Sequence, residues 1–206
     1  MFLQGIPGST SKISDGVASS AMRIGNQNDL IVSELHGRYY EQTYRTNKFG
    51  GSIVGQVTTV GAATTYTGLC LSNPIGSGVN LVVDKVGVAF LVAFTAAATV
   101  GIMTGINTST NVTHTAAAVV RNKFIGDAIG YGLLDSSATL PTAPVLDVVL
   151  FAGLTGAITT GVAADILVDM EGSIILPPGA YAAIYTSTAS GAASMSASFS
   201  WEEVPA

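Results

Sequence analysis

Charge is what this chain has least of. Charged residues make up 10% of it, against roughly 25% in average soluble domains. A compact monomer of 20.9 kDa would expose on the order of 9,000 Å², so each charged side chain would have several hundred Å² to itself. With 48% of residues hydrophobic, such a surface is expected to be covered by neighbours, as in an oligomer or a lattice. Basic residues are the scarcer sign, 8 against 13 acidic, for a net charge of -5. Lys12, Arg23, Arg38, Arg45 and Lys48 fall in the first 48 positions beside Asp15, Asp29, Glu34 and Glu41, which makes that part +1. The remainder holds three bases against nine acids, or -6. An acidic body argues against binding nucleic acid through a basic face.

Cysteine is nearly absent. Cys70 alone excludes an intrachain disulfide and any multi-cysteine metal site, and its setting in Thr67-Gly68-Leu69-Cys70-Leu71 predicts a buried, inert thiol. The two histidines, His36 and His114, are far apart and in no metal-ligand spacing. Aromatics are 7%, few for a protein that grips glycans on exposed rings. No basic segment followed by an apolar run marks a secretory signal at the start. Gly51-Ser52-Ile53-Val54-Gly55-Gln56 lacks the Lys-Ser/Thr ending of a phosphate loop, and there is no G-x-S-x-G elbow. Asn107-Thr108-Ser109 and Asn111-Val112-Thr113 match the glycosylation acceptor pattern by chance in a Thr/Ser/Asn-rich loop. Asp165, Asp169 and Glu171 share one face of an extended strand, without calcium-loop spacing, and read as a solvated or intersubunit face. They are also the one faint candidate for the paired carboxylates a glycan hydrolase of β architecture would need. The expectation is no enzyme, no cofactor and no metal.

What the chain does have, in one place, is a crowd of rings and charges: Glu34-Leu35-His36-Gly37-Arg38-Tyr39-Tyr40-Glu41-Gln42-Thr43-Tyr44-Arg45. At period two neither face is apolar, so as a strand it suits a contact segment and not a core. Residues 1 to about 33 are turn formers with scattered apolar residues and no sustained period, which predicts an extended arm that orders on a partner or on the body. From about residue 49 short β-type runs follow one another between Gly, Pro, Asn and Ser clusters. The predicted strands are Ser52–Val60, Thr64–Leu71, Val79–Val83, Val86–Phe94, Thr99–Thr104, Ala116–Asn122, Val145–Phe151, Ile166–Met170, Gly172–Leu176, Ala180–Ser187 and Ser194–Trp201. In the last of these serine alternates with Met195, Ala197, Phe199 and Trp201, giving one apolar face. Val86–Ile106 is uncharged and long enough to span a bilayer, but its glycines and threonines and its lack of positive flanks favour two buried strands. The fold class is therefore all-β, an antiparallel β-sandwich (jelly-roll-like) with an extended N-terminal arm. Residues 1–48 form the arm with its polar contact segment, and 49–206 the body.

The Glu34–Arg45 string, Ala63–Pro74, and Leu176–Tyr181 through Ser198–Pro205 resemble a group of tailed-bacteriophage virion proteins. Within that group the chain is similar to capsid cement or decoration proteins. The similar stretches cover most of residues 34 to 206 and contain no catalytic motif. The resemblance implies a β-sandwich body, a homotrimer, and an extended segment lying across subunits of the major capsid protein on the virion exterior, with no nucleic acid and no membrane involved. Arg38, Tyr39, Tyr40, Tyr44 and Arg45 are the expected contact anchors, since Tyr and Arg are enriched at interface hot spots. The competing expectations are a head fibre, tail or baseplate protein binding a host glycan, a glycan hydrolase, and a membrane protein.

Overall fold

A computed structural model describes residues 37–92, 94, 96–153, 165–190 and 195–206. The predicted arm before residue 34 lies outside the described residues. The chain divides after Arg45 into two units. Of the first, residues 37–45 are described, with one turn of helix, α1 (Tyr40–Tyr44). The second, Thr46–Ala206, is a sandwich of two antiparallel sheets.

In chain order its strands are β1 (Lys48–Gln56), β2 (Thr65–Ser72), β3 (Val79–Phe90), β4 (Ala98–Ile106), β5 (Thr113–Ala118), β6 (Arg121–Asn122), β7 (Leu133–Thr139), β8 (Val145–Gly153), β9 (Asp165–Leu176), β10 (Ala180–Thr186) and β11 (Met195–Pro205). One sheet runs β6-β1-β11-β3-β9 and the other β5-β7-β2-β10-β4-β8. Their facing sides close over the main core. Period-two alternation sends Leu81, Val83, Val86, Val88, Phe199 and Trp201 inward from the first sheet, and Leu69, Leu71, Val100, Ile102, Ala182 and Ile184 from the second. The predicted apolar face of β11 is fully confirmed: Met195, Ala197, Phe199 and Trp201 are all buried.

A second, smaller cluster lies on the far side of the β2-β10-β4 sheet and contains Tyr66, Cys70, Met103, Tyr181 and Ala183. Two tyrosines roof it by lying over glycines. Tyr66 Oη donates to the carbonyl of Ile184 at 2.8 Å, and a Cβ on Gly68 would sit 2.3 Å from that oxygen. Tyr181 Oη donates to the carbonyl of Thr142 at 2.6 Å, and a Cβ on Gly105 would be equally close to it.

Three departures from the expected strands have physical causes. Val79–Val83 and Val86–Phe94 are one strand, β3, because Asp84 and Lys85 form a bulge and not a turn: the register with β9 shifts between Val83 and Lys85. The extra residue restores the alternation, so Leu81 and Val83 point inward before it and Val86, Val88 and Phe90 after it. Ile166–Met170 and Gly172–Leu176 likewise merge into β9, bent where Glu171 (φ 51°) and Gly172 (φ 77°) both take positive φ. Ala116–Asn122 splits instead, since the chain leaves β5 in one sheet and joins β6 in the other. β7, whose Leu133-Leu134-Asp135-Ser136-Ser137-Ala138-Thr139 is polar in the middle, carried no expectation. Residues 86–90 and 98–106 of the long uncharged run are strand, and no helix among the described residues is long and apolar enough to cross a membrane.

Candidate functional site

The expected contact residues lie on a helical turn and not on an extended strand. Four-residue spacing suits them better than alternation does: Tyr40 and Tyr44 stack with ring centroids 5.6 Å apart and planes at 9°, and Arg45 Nε lies 3.6 Å from Glu41 Oε2. The Arg38 guanidinium sits 5.5 Å from the centroid of the Tyr39 ring, within cation-π reach. The turn thus brings Tyr40 to Tyr44 and Arg38 to Tyr39, while Arg45 is matched by an acid of its own helix. His36 lies outside the described residues.

On the body, the loop 123–132 between β6 and β7 reverses the usual order of polar out and apolar in. Beneath it, buried Asn122 donates from Nδ2 to the carbonyls of Thr46 at 2.8 Å and Ala128 at 3.2 Å, and its Oδ1 accepts the Phe124 N–H at 2.8 Å. The loop's far end is held by Glu203, whose buried carboxylate accepts the N–H groups of Tyr131 and Gly132 at 2.9 Å and the Trp201 indole N–H at 3.2 Å. Gly130 and Gly132 allow that approach, because a Cβ on Gly130 would fall 2.3 Å from the carboxylate and one on Gly132 would fall 2.8 Å from the indole. With the backbone tied down from below, the apolar side chains face solvent: Ile125 is 77% exposed, Ile129 71% and Tyr131 58%, with Val119 and Phe124 exposed nearby. Lys123, at the base of the loop, has its pKa lowered first by partial desolvation and then by the neighbouring Lys48 ammonium, although much of the residue remains exposed.

A second apolar feature crosses the outer face of the first sheet. Val54 and Leu167, both more than 70% exposed, wall a shallow depression of about 290 Å³ floored by Gly87, Ala89, Ser196 and Ser198. Single exposed apolar residues are ordinary.

At the β2–β10 end of the other sheet lies a pocket of about 150 Å³ lined by Ser72, Asn73, Pro74, Val112, His114 and Leu133, among others. Asn73 donates from Nδ2 to the carbonyls of Val79 at 2.7 Å and Leu176 at 2.8 Å, which fixes its amide orientation. His114 Nδ1 meets Oδ2 of fully buried Asp135 at 2.5 Å. Burial raises the Asp135 pKa from its ordinary 3.8, and the His114 hydrogen bond and charge pull it back. Among the described residues, Ser72 Oγ, Asn73 Oδ1 and Asp135 Oδ1 are buried with no hydrogen-bond partner. An unmet buried polar atom costs about 1–3 kcal/mol. Cys70, opposite Asp135 in the β2–β7 ladder, is the buried thiol expected, pushed far above its ordinary range by burial and then by the Asp135 charge.

Of the acidic trio, Asp169 and Glu171 have described side chains. The Glu171 N–H donates to Asp169 Oδ1 at 3.1 Å, so this carboxylate serves the bend of β9. Among the described residues no three His, Cys, Asp or Glu side chains gather as a metal would require. No family model, curated protein or solved structure matches this chain. Sequence reasoning passed over both the loop and the pocket. The available signal for the loop was Phe124-Ile125, Ile129 and Tyr131 among Gly126, Gly130 and Gly132, apolar residues where turn chemistry leads one to expect polar ones.

Proposed function

We propose that the chain is a capsid cement or decoration protein of a tailed bacteriophage, binding across major capsid subunits on the virion exterior as a homotrimer and stabilising the head. The observation that carries this is the loop 123–132, anchored through buried Asn122 and Glu203 and presenting Ile125, Ile129 and Tyr131 to solvent. A rigid apolar surface loses little conformational freedom on binding, so more of its burial energy remains as affinity. Covering such side chains contributes about 1–2 kcal/mol each, at ~25 cal/mol per Å² of apolar area. The Arg38, Tyr39, Tyr40, Tyr44 and Arg45 cluster supplies a second contact of hot-spot composition, and three copies on one shell multiply modest contacts through effective concentration. The mechanism is passive cross-linking.

Light scattering on the purified chain, followed by sedimentation with empty shells that lack it, tests the reading. A trimer that loads shells to a fixed copy number and raises their resistance to heat is the expected result. Retention in the supernatant with binding to host cells or a glycan replaces it by the second reading, a head fibre, tail or baseplate protein, which draws on the exposed rings of Phe124 and Tyr131 in the same loop.

A further inference from the structure

Lys48 and Asp84 sit on strands that are not neighbours. β11 lies between β1 and β3, so the two backbones stand about 9.5 Å apart, two strand spacings. The Lys48 side chain spans that gap, and its Nζ meets Asp84 Oδ2 directly. Both residues are nearly fully buried. Such a contact is ordinarily an ion pair, whose attraction has to offset the desolvation of both charges. The same placement suits a second chemistry. An amine nitrogen touching one carboxyl oxygen is a single bond length from the carboxyl carbon, which is the near-attack position for making an amide.

Three conditions separate a condensing pair from an ordinary one. Water must be kept out, because it solvates both charges and reverses the reaction; the burial of Lys48 and Asp84 meets this. The groups must be held in contact, since fixed neighbours reach effective concentrations of about 10⁵–10⁸ M; the direct meeting of Nζ and Oδ2 meets this too. A proton carrier must stand by. Glu202 is the Cα partner of Lys48 across the β1–β11 pair and of Val82 across the β11–β3 pair. Ladder partners share a face, so this carboxyl rises from the strand that the Lys48 side chain crosses, and it is part-buried there.

We propose that Lys48 and Asp84 condense into an isopeptide bond that joins β1 to β3 over β11, with Glu202 as the proton carrier. The ammonium first gives up a proton, through Glu202, to the Asp84 carboxylate, which removes both buried charges together. The Nζ lone pair then adds to Cγ and forms the N–C bond. Glu202 takes a second proton from the nitrogen and hands it to the departing oxygen. The C–O bond breaks and one water leaves. Ammonium and carboxylate have become amide and water, and Glu202 has returned to its starting form. The newly folded chain holds the ion pair and acquires the bond afterwards, so the ion pair governs the stability of the newly folded protein. The inference stands apart from the cement reading and fails or holds independently of it.

The test is intact-mass spectrometry of the full chain, newly purified and after storage at neutral pH, followed by tryptic mapping. The mass is expected to fall by one water. Trypsin does not cut after an acylated lysine, and no Lys or Arg lies between Lys48 and Lys85. The bonded chain therefore yields residues 46–85 as one peptide lacking a water, where the unbonded chain yields 46–48 and 49–85. Lys48→Arg keeps the positive charge but not the nucleophilic amine, and should retain the water. Glu202→Gln leaves the pair in place and should slow the mass loss about 10²- to 10⁴-fold, the usual worth of a proton carrier. Full mass kept throughout storage, a lost water with complete cleavage after Lys48, or loss at the parent's rate in Glu202→Gln would each overturn the proposal.

Discussion

Glu203 stands where β11, having turned Met195, Ala197, Phe199 and Trp201 inward, turns one more side chain the same way. A carboxylate there is tolerated because two backbone N–H groups and an indole N–H meet it. Glu203→Ala leaves those donors unmet and should cost about 2–3 kcal/mol, the range for hydrogen bonds to a charged group. Urea denaturation measures the cost, and hydrogen exchange at Tyr131 and Gly132 should quicken with it. Asp135 makes a prediction of opposite sense. Its folded pKa lies above its ordinary 3.8, so between those two values the unfolded chain gives up the proton while the folded chain keeps it. Stability is therefore fully present below about pH 3.8 and falls as pH rises through the folded value. Asp135→Asn should remove that decline, and the stability difference between variant and parent, measured by denaturation from acid to neutral pH, should shift in favour of the variant as pH rises.

At the scale of the element, the β3 bulge shows how a break in pattern can be read two ways. Asp84-Lys85 between two apolar runs looks like a turn, yet Asp84 goes inward to pair with Lys48 of β1, both nearly fully buried. Removing one partner strands the other charge, so Asp84→Ala should cost about 3–5 kcal/mol, whereas Lys48→Met with Asp84→Leu should recover to within about 1–2 kcal/mol of the parent. Thermal and urea unfolding of the three proteins checks this. β2 and β10 were legible in the sequence to within one residue at each end, while β11, whose residues do alternate, starts within a residue of where expected and runs four residues past Trp201 to Pro205. β7 was not, because the partner of its buried Asp135 Oδ2 is His114 on the adjacent strand, 21 positions away. The loop 123–132 was hidden for the same reason: its anchor is more than 70 residues downstream. The Tyr/Arg segment was found by composition but given the wrong local shape, since a short run polar on every face fits period two and period 3.6 alike.

For the whole molecule, the proposed contact surface makes a separable prediction. Ile125 and Ile129 are exposed and contribute little to the fold, so Ile125→Asp with Ile129→Asp should leave stability within about 0.5 kcal/mol of the parent, as surface changes do. Their loading of empty shells, counted after sedimentation, should fall about tenfold or more, because each charge would be desolvated at the seam.

The position of β11 also sets a schedule. It follows the other described strands in the chain, yet it occupies the middle of its sheet, flanked by β1 and β3. Until Met195–Pro205 has left the ribosome, β1 and β3 have no strand to join them, and half of the main core has no closed wall. Folding of this sheet is thus deferred until β11 has been made, with β1 and β3 each holding an unpaired edge in the meantime. That interval, more than the finished sandwich, is when the chain is exposed to mispairing and when a chaperone would matter.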